Sequence, residues 1–202
     1  MAITNDLPSV FCWVSQMASS NISSFIKQFF SRKKRELRLP LLFVRYDGDM
    51  DYQAKLIVPF GVLGIRCNDR ALLGIDFLPS REKAKRATGP FPKAVCEQLL
   101  HYLNDPDAQF TVSFSTSGTA HQQKVWQAMR NIPRGETRSY GELAAELKSA
   151  AQAIGQACGA NLIPIVIPCH RVVGKSGLGG FMGHASGASL DIKRWLLTHE
   201  QR

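Results

Sequence analysis

A chain of 202 residues has room for one large domain or two small ones, and 45% hydrophobic residues suffice to bury a core, so a globular soluble protein is the default. The formal charge of +9 points to a polyanionic partner, because clustered Lys and Arg release counterions when they neutralise phosphates. Five scattered cysteines (Cys12, Cys67, Cys96, Cys158, Cys169) without a CxxC pair argue against a disulfide framework and a zinc cage and for a reduced, intracellular protein, and no apolar run reaches the roughly 18 residues of a membrane span.

Residues 1–49 are rich in Ser and Asn, carry the basic run RKKR and show no sustained periodicity. The charges follow the apolar patch SVFCWV instead of preceding it, so a secretory signal does not fit. An organellar presequence and a mis-assigned start codon are the alternatives; we read a poorly ordered extension, with Met50 the more natural start. From Tyr52 the pattern turns to strands: QAKLIVPF, GVLGIRC and ALLGIDFL are β-prone runs separated by glycine and by Asn68-Asp69 turn chemistry. In PFPKAVCEQLLHYLNDP the period changes, with Phe91, Val95, Leu99 and Leu103 four apart on one helical face. FTVSFST, from Phe110, reads as one more strand. These elements predict a small α+β domain over residues 50–112.

Residues 113–202 read as helical. Thr119-x-x-Gln122, Ser139-x-x-Glu142 and Ser149-x-x-Gln152 are three successive capping boxes, each pairing a hydroxyl with an acceptor three residues on. Val125, Trp126, Met129 and Ile132 give the first helix a core face, and IPRGE breaks it before the second begins at Tyr140. A single-residue turn then leads to a third helix faced by Ala150, Ala153, Gly155, Ala157 and Gly159. Two short helices joined so tightly fit a helix-turn-helix. The third offers few Arg, Asn or Gln for reading base edges in a major groove, and its small residues suit close approach to a minor groove or burial against another helix.

Next comes IPIVIPCHRVVGKSG. Pro164 and Pro168 bar a helix, and the run reads as a buried extended segment that stiffens the approach to Cys169. An apolar-flanked cysteine is commonly a small core residue; His170 and Arg171 beside it would be costly in a plain core and favour a reactive thiol. VGKS lacks the glycine that a phosphate loop needs at position 169, PCH lacks the second cysteine of a zinc deaminase at 172, and the local signatures of cysteine hydrolases are missing.

PCHRV behind an Asn-containing loop, the upstream RSYGELA and the downstream GLGGF and KRWLLTHE closely resemble the 6-O-alkylguanine-DNA alkyltransferases, the methylated-DNA–protein-cysteine methyltransferases. The resemblance spans about residues 50–202 and is most specific between Ser139 and Glu200. It implies a mixed α/β (α+β) protein, with a small ribonuclease-H-like sheet domain and a helical domain whose winged-helix-like helix-turn-helix enters the minor groove of double-stranded DNA. It further implies that Cys169 attacks the alkyl carbon of a flipped 6-O-alkylguanine, that His170 takes the thiol proton through a water, and that Glu200 holds the histidine. Tyr140 would donate to the base and help rotate the 3′ phosphate, and Asn161 would organise the turn behind the nucleophile. Val172, Phe181, Met182 and Gly183 would line the base pocket, consistent with six glycines between Gly174 and Gly187. On the DNA side the resemblance places Tyr140, Gln152, Ala153, Gly155 and Arg171.

Gln152 stands where the family commonly has an intercalating arginine, and Leu162 where proline is common; without that charge we expect slower repair or weaker DNA binding. A thioether has no good leaving group, so one protein should repair one lesion, and no metal, nucleotide or methyl-donor cofactor is implied. The resemblance implies a monomer, in a bacterial cytoplasm or a eukaryotic nucleus. A lesion sensor that flips the base without transfer, and a transcription factor built on the helix-turn-helix, are the competing readings; the intact Cys169 and the Ala- and Gly-rich helix count against each in turn.

Overall fold

A computed structural model describes residues 51–202, so the reading of residues 1–49 as an extension lies outside it. The chain there is mixed α/β. Strands β1 (Ala54–Val58), β2 (Gly61–Cys67) and β3 (Leu72–Leu78) form an antiparallel sheet in the order β1-β2-β3. The β2–β3 connection is the expected Asn68 turn: its Oδ1 accepts from the amides of Arg70 (2.9 Å) and Ala71 (2.8 Å), mimicking a backbone turn.

Helix α1 (Pro90–Asn104) starts at a proline preset for the first turn and packs on the sheet. Its buried face is Pro92, Val95, Cys96, Leu99 and Tyr102. The stripe is rotated from the predicted one, leaving Phe91 and Leu103 half-buried, because Tyr102 sends its hydroxyl to a buried partner described below. The strand expected at FTVSFST does not form. The chain touches the sheet through a single bridge, Leu72 to Phe114, and leaves it, because β3 also needs its edge for the Ile75 amide, which donates to Leu162 O at 2.9 Å.

Helix α2 (Ala120–Arg130) and helix α3 (Tyr140–Glu146) both begin at the predicted capping boxes, Thr119 with Gln122 and Ser139 with Glu142. The two-residue strand β4 (Arg138–Ser139) pairs in parallel with β5 (Val172–Val173). The third box is not made: α4 (Ala151–Gly159) has Ala150 as its N-cap, without a side-chain cap. Ser149 is already engaged, since its amide donates to Ala144 O (2.8 Å) and that of Lys148 to Ala145 O (3.4 Å), while Lys148 sits at φ 50°. This is a Schellman ending of α3. Four residues, not one, therefore separate the two helices.

IPIVIP is buried as predicted but folded back instead of extended. Ile167 N donates to Ile163 O at 2.9 Å, and Ile165 takes φ 77°, a left-handed conformation rare for a β-branched residue. Helix α5 (Ala188–Glu200) closes the chain. One hydrophobic core runs through all of this, from Leu63, Ile65 and Ile75 through Leu99, Trp126 and Met129 to Leu143, Ile154 and Leu196. Trp126 Nε1 donates to Ala157 O (2.8 Å), tying α2 to α4. Among the described residues no helix is long and apolar enough to cross a membrane.

Candidate active site

The folded-back 163–167 segment is held at both ends by one side chain: Asn161 Oδ1 accepts from Ile163 N (3.0 Å) and its Nδ2 donates to Ile167 O (2.8 Å). The turn delivers Cys169 at the head of a short 3-10 turn, Cys169–Arg171, with the residue as a whole 3% exposed. Burial pushes that thiol up to about 11, against the opposing pull of the Asn161 hydrogen bond and the positive charge of Lys193.

His170 and Glu200 are both buried, and Nε2 of the ring lies 2.8 Å from Oε1 of the carboxylate. The same carboxylate accepts a fork from Arg171, Nε to Oε2 at 2.9 Å and Nη2 to Oε1 at 2.8 Å, and the hydroxyl of Tyr102 at 2.8 Å. Burial alone would raise the pKa of Glu200; the hydrogen bonds from His170 and Arg171 outweigh it and hold the carboxyl well below the usual range. Burial lowers the pKa of His170. An ionised carboxylate can only accept, so Nε2 carries the hydrogen and Nδ1 presents a lone pair. That Nδ1 is buried and has no protein partner.

Beside Cys169 lies a cavity of about 350 Å³, lined by Tyr140, Gly155, Cys158, Gly159 and the segment 180–185. The hydroxyl of Tyr140 donates to Gly180 O at 3.1 Å, and burial pushes its pKa up to about 12. Gly179 has φ 68° and lies so close to the tyrosine that a Cβ there would sit 2.7 Å from the ring, so only glycine fits.

The chain's similarity to known proteins follows the same segments. The family described as 6-O-methylguanine DNA methyltransferase, DNA binding domain, matches residues 120–202. The methylated-DNA–protein-cysteine methyltransferase of Salmonella typhimurium is 36% identical over 165 residues, 73% of this chain and 94% of that protein. The chain belongs to the methylated-DNA–protein-cysteine methyltransferases. The constitutive methyltransferase of Bacillus subtilis is 44% identical over 130 residues, covering 63% of this chain and 76% of its own. The crystal structure of the Mycobacterium tuberculosis O6-methylguanine methyltransferase superposes with a TM-score of 0.62 at 35% identity, covering 73% of this chain and 90% of that one. Mycobacterium tuberculosis OGT solved in complex with DNA matches equally, with a TM-score of 0.62 at 36% identity over 73% of this chain and 91% of that one.

In this methyltransferase, then, Cys169, Tyr140, Phe181, Met182 and Gly183 line one cavity, while Asn161 braces the turn before Cys169 and the buried His170–Glu200 pair follows it in the chain without lining the cavity. Other expected residues stand apart from it. Val172 is fully buried behind the wall and does not line the cavity. Gln152 is exposed and Ala153 half-buried on the first turn of α4, while Gly155 reaches the cavity. Arg171, expected toward DNA, turns inward to Glu200 and to Ile132 O (2.6 Å).

Two residues of the methyltransferase escaped the sequence reading. Lys193 is fully buried, and its ammonium donates to the carbonyls of Val172 (2.6 Å), Leu178 (2.7 Å) and Gly180 (2.8 Å). Burial pulls its pKa down to about 8. The signal was present in the helical period: Lys193 is four residues from buried Ser189 and seven from Glu200, hence on the inward face of α5. Tyr102 likewise follows Val95 and Leu99 around α1.

Proposed function

We propose that the methyltransferase receives 6-O-alkylguanine, chiefly 6-O-methylguanine, rotated out of double-stranded DNA into the cavity beside Cys169, and takes the alkyl group irreversibly onto that sulfur, restoring guanine once per protein molecule. The observation that carries this reading is Cys169 at the wall of a cavity of about 350 Å³, a size suited to a single base, with the buried, hydrogen-bonded His170–Glu200 pair beginning at the next residue. The relative solved in complex with DNA supports the choice of partner.

Each residue then has a task. The lone pair on Nδ1 of His170 takes the thiol proton of Cys169 through one water, and Glu200 steadies the imidazolium that results. The sulfur attacks the alkyl carbon, the carbon–oxygen bond breaks with its electron pair passing to guanine O6, and the proton returns to the purine. Burial holds the resting thiol protonated, so ionisation awaits the arriving base; the ammonium of Lys193 opposes that burial and favours the thiolate. Asn161 fixes the turn that presents the sulfur, and Tyr140 exchanges its bond to Gly180 O for one to the base. Phe181, Met182 and Gly183 wall the base, with Val172 as backing. On the minor-groove side, Ala153 and Gly155 let the backbone approach and Gln152 enters the gap left by the base. Arg171 serves by holding Glu200. Residues 50–112 act as the brace and residues 113–202 bind DNA and carry out transfer, in a monomer that works where thiols stay reduced, a bacterial cytoplasm or a eukaryotic nucleus.

A duplex holding one labelled 6-O-methylguanine tests this directly. Label is expected on the wild-type protein and not on Cys169→Ala. Tight lesion binding without transfer by the wild type would indicate a lesion sensor instead, and undiminished transfer by Cys169→Ala would overturn the reading.

A further inference from the structure

His199 sits one residue before Glu200 at the end of α5, is 2% exposed, and has no task in the transfer step. Its ring lies flat on that of Trp195, with centroids 4.9 Å apart at 14°, and its Nε2 is 2.7 Å from the carbonyl oxygen of Tyr102. A carbonyl only accepts, so Nε2 carries the hydrogen. Nδ1 is then the bare nitrogen, and it is buried without a hydrogen-bond partner among the described residues. A phenylalanine or leucine would fill this place without burying an unpaired nitrogen. What the histidine adds over an apolar residue is the donated bond.

That bond closes on the last turn of α1, where carbonyls have no donor four residues on within the helix. Asp105 N donates to His101 O at 2.8 Å, and His199 supplies the donor for the carbonyl after it. The rings of His199 and Tyr102 also meet edge to face, centroids 5.3 Å apart at 76°. At the far end of the same tyrosine the hydroxyl donates to Glu200 Oε1 (2.8 Å), the oxygen that accepts from His170 Nε2 and Arg171 Nη2. Two consecutive residues of α5 thus hold one tyrosine from both ends: His199 by its carbonyl, Glu200 by its hydroxyl. A hydrogen bond weakens steeply as its angle closes, so the hydroxyl keeps its bond only while the backbone of Tyr102 stays in place.

We propose that His199 is a positioning residue for alkyl transfer: by fixing Tyr102 it keeps the tyrosine hydroxyl on Glu200 and so keeps His170 ready to accept the thiol proton, an inference that rests on the reading of His170 as the base. A carboxylate that loses a donor becomes more basic and holds a neighbouring imidazolium more tightly. Without the hydroxyl, His170 would keep its proton to higher pH and act as a base over a narrower range. The charged groups facing the two rings are Glu200, Arg134 and Arg202 around His199, and Glu200, Arg171 and Lys193 around His170.

Single-turnover transfer from a duplex with one labelled 6-O-methylguanine, followed from about pH 8 down to about pH 5.5, tests it in variants whose melting curves show them folded. His199→Phe keeps a ring on Trp195 and lacks the donor; His199→Met also lacks it and takes over should the first not fold; His199→Gln keeps a donor at similar reach. Loss of the donor is expected to slow transfer about threefold to tenfold at about pH 6 and to move the acid limb of the rate profile upward, and His199→Gln is expected to recover most of both. In a Tyr102→Phe background the same loss should change neither further, because the hydroxyl that His199 positions is gone. An acid limb that stays in place in the folded donor-less variant, no recovery in His199→Gln, or a further shift in the Tyr102→Phe background overturns the inference alone. Undiminished transfer by His170→Gln overturns the reading of His170 as the base, and the inference with it.

Discussion

Glu200 takes hydrogen bonds from His170, Arg171 and Tyr102. In the sequence it is one charge near the end of the chain, and only the family resemblance singled it out, because its partners come from positions 29 to 98 residues away and no local pattern records them. Cys169 was legible for the opposite reason: its neighbours His170 and Arg171 are adjacent and out of character for an apolar run. The titration of this cluster gives a directional prediction. Burial lowers the pKa of His170 and His199 beneath the 6.5 of an unfolded imidazole. Below that value the unfolded chain binds protons that the folded chain refuses, so stability fully present above pH 6.5 is lost as the pH falls toward the folded values. Glu200, held below its unfolded 4.5, adds a second loss of the same sign under that pH. Thermal melts from pH 8 to 5 should show a falling midpoint below about 6.5; a flat profile would contradict it.

Among the elements, the capping pattern was legible and its third instance misleading. Ser139 accepts from Glu142 N at 3.1 Å and its amide donates to Glu142 Oε2 at 2.6 Å, whereas Ser149 has given its amide to the end of α3. A local pattern states what a residue is able to do; a preceding helix that claims the same amide decides otherwise. Ser139→Ala should therefore cost about 1 kcal/mol, and Ser149→Ala a few tenths at most, as read from urea midpoints at constant slope. Equal losses would restore Ser149 as a cap. IPIVIP was misread in a related way: the prolines do exclude a helix, but the fold-back at Ile165 depends on Asn161 holding both ends of the turn, a bond pattern that period and propensity do not carry.

Across the whole molecule, the part of the chain before residue 113 reaches the site through Tyr102, and the connection is repeated by Arg134, which donates to Glu200 O (2.7 Å) and pairs with Asp107 (2.6 Å). Tyr102→Phe keeps the ring in the core and removes only the bond to a buried carboxylate. It should lower stability by about 1.5–3 kcal/mol and slow alkyl transfer, checked by urea denaturation and single-turnover rates on the same preparation. Unchanged values would mean that the forked arginine suffices. Lys193 carries a different consequence. One ammonium ties the carbonyl of Gly180, at the cavity wall, to those of Val172 and Leu178 and, by its charge, also eases ionisation of Cys169. Removing that charge would loosen the Gly180 end of the cavity and raise the cost of ionising the neighbouring thiol together, so the two losses would arrive as one.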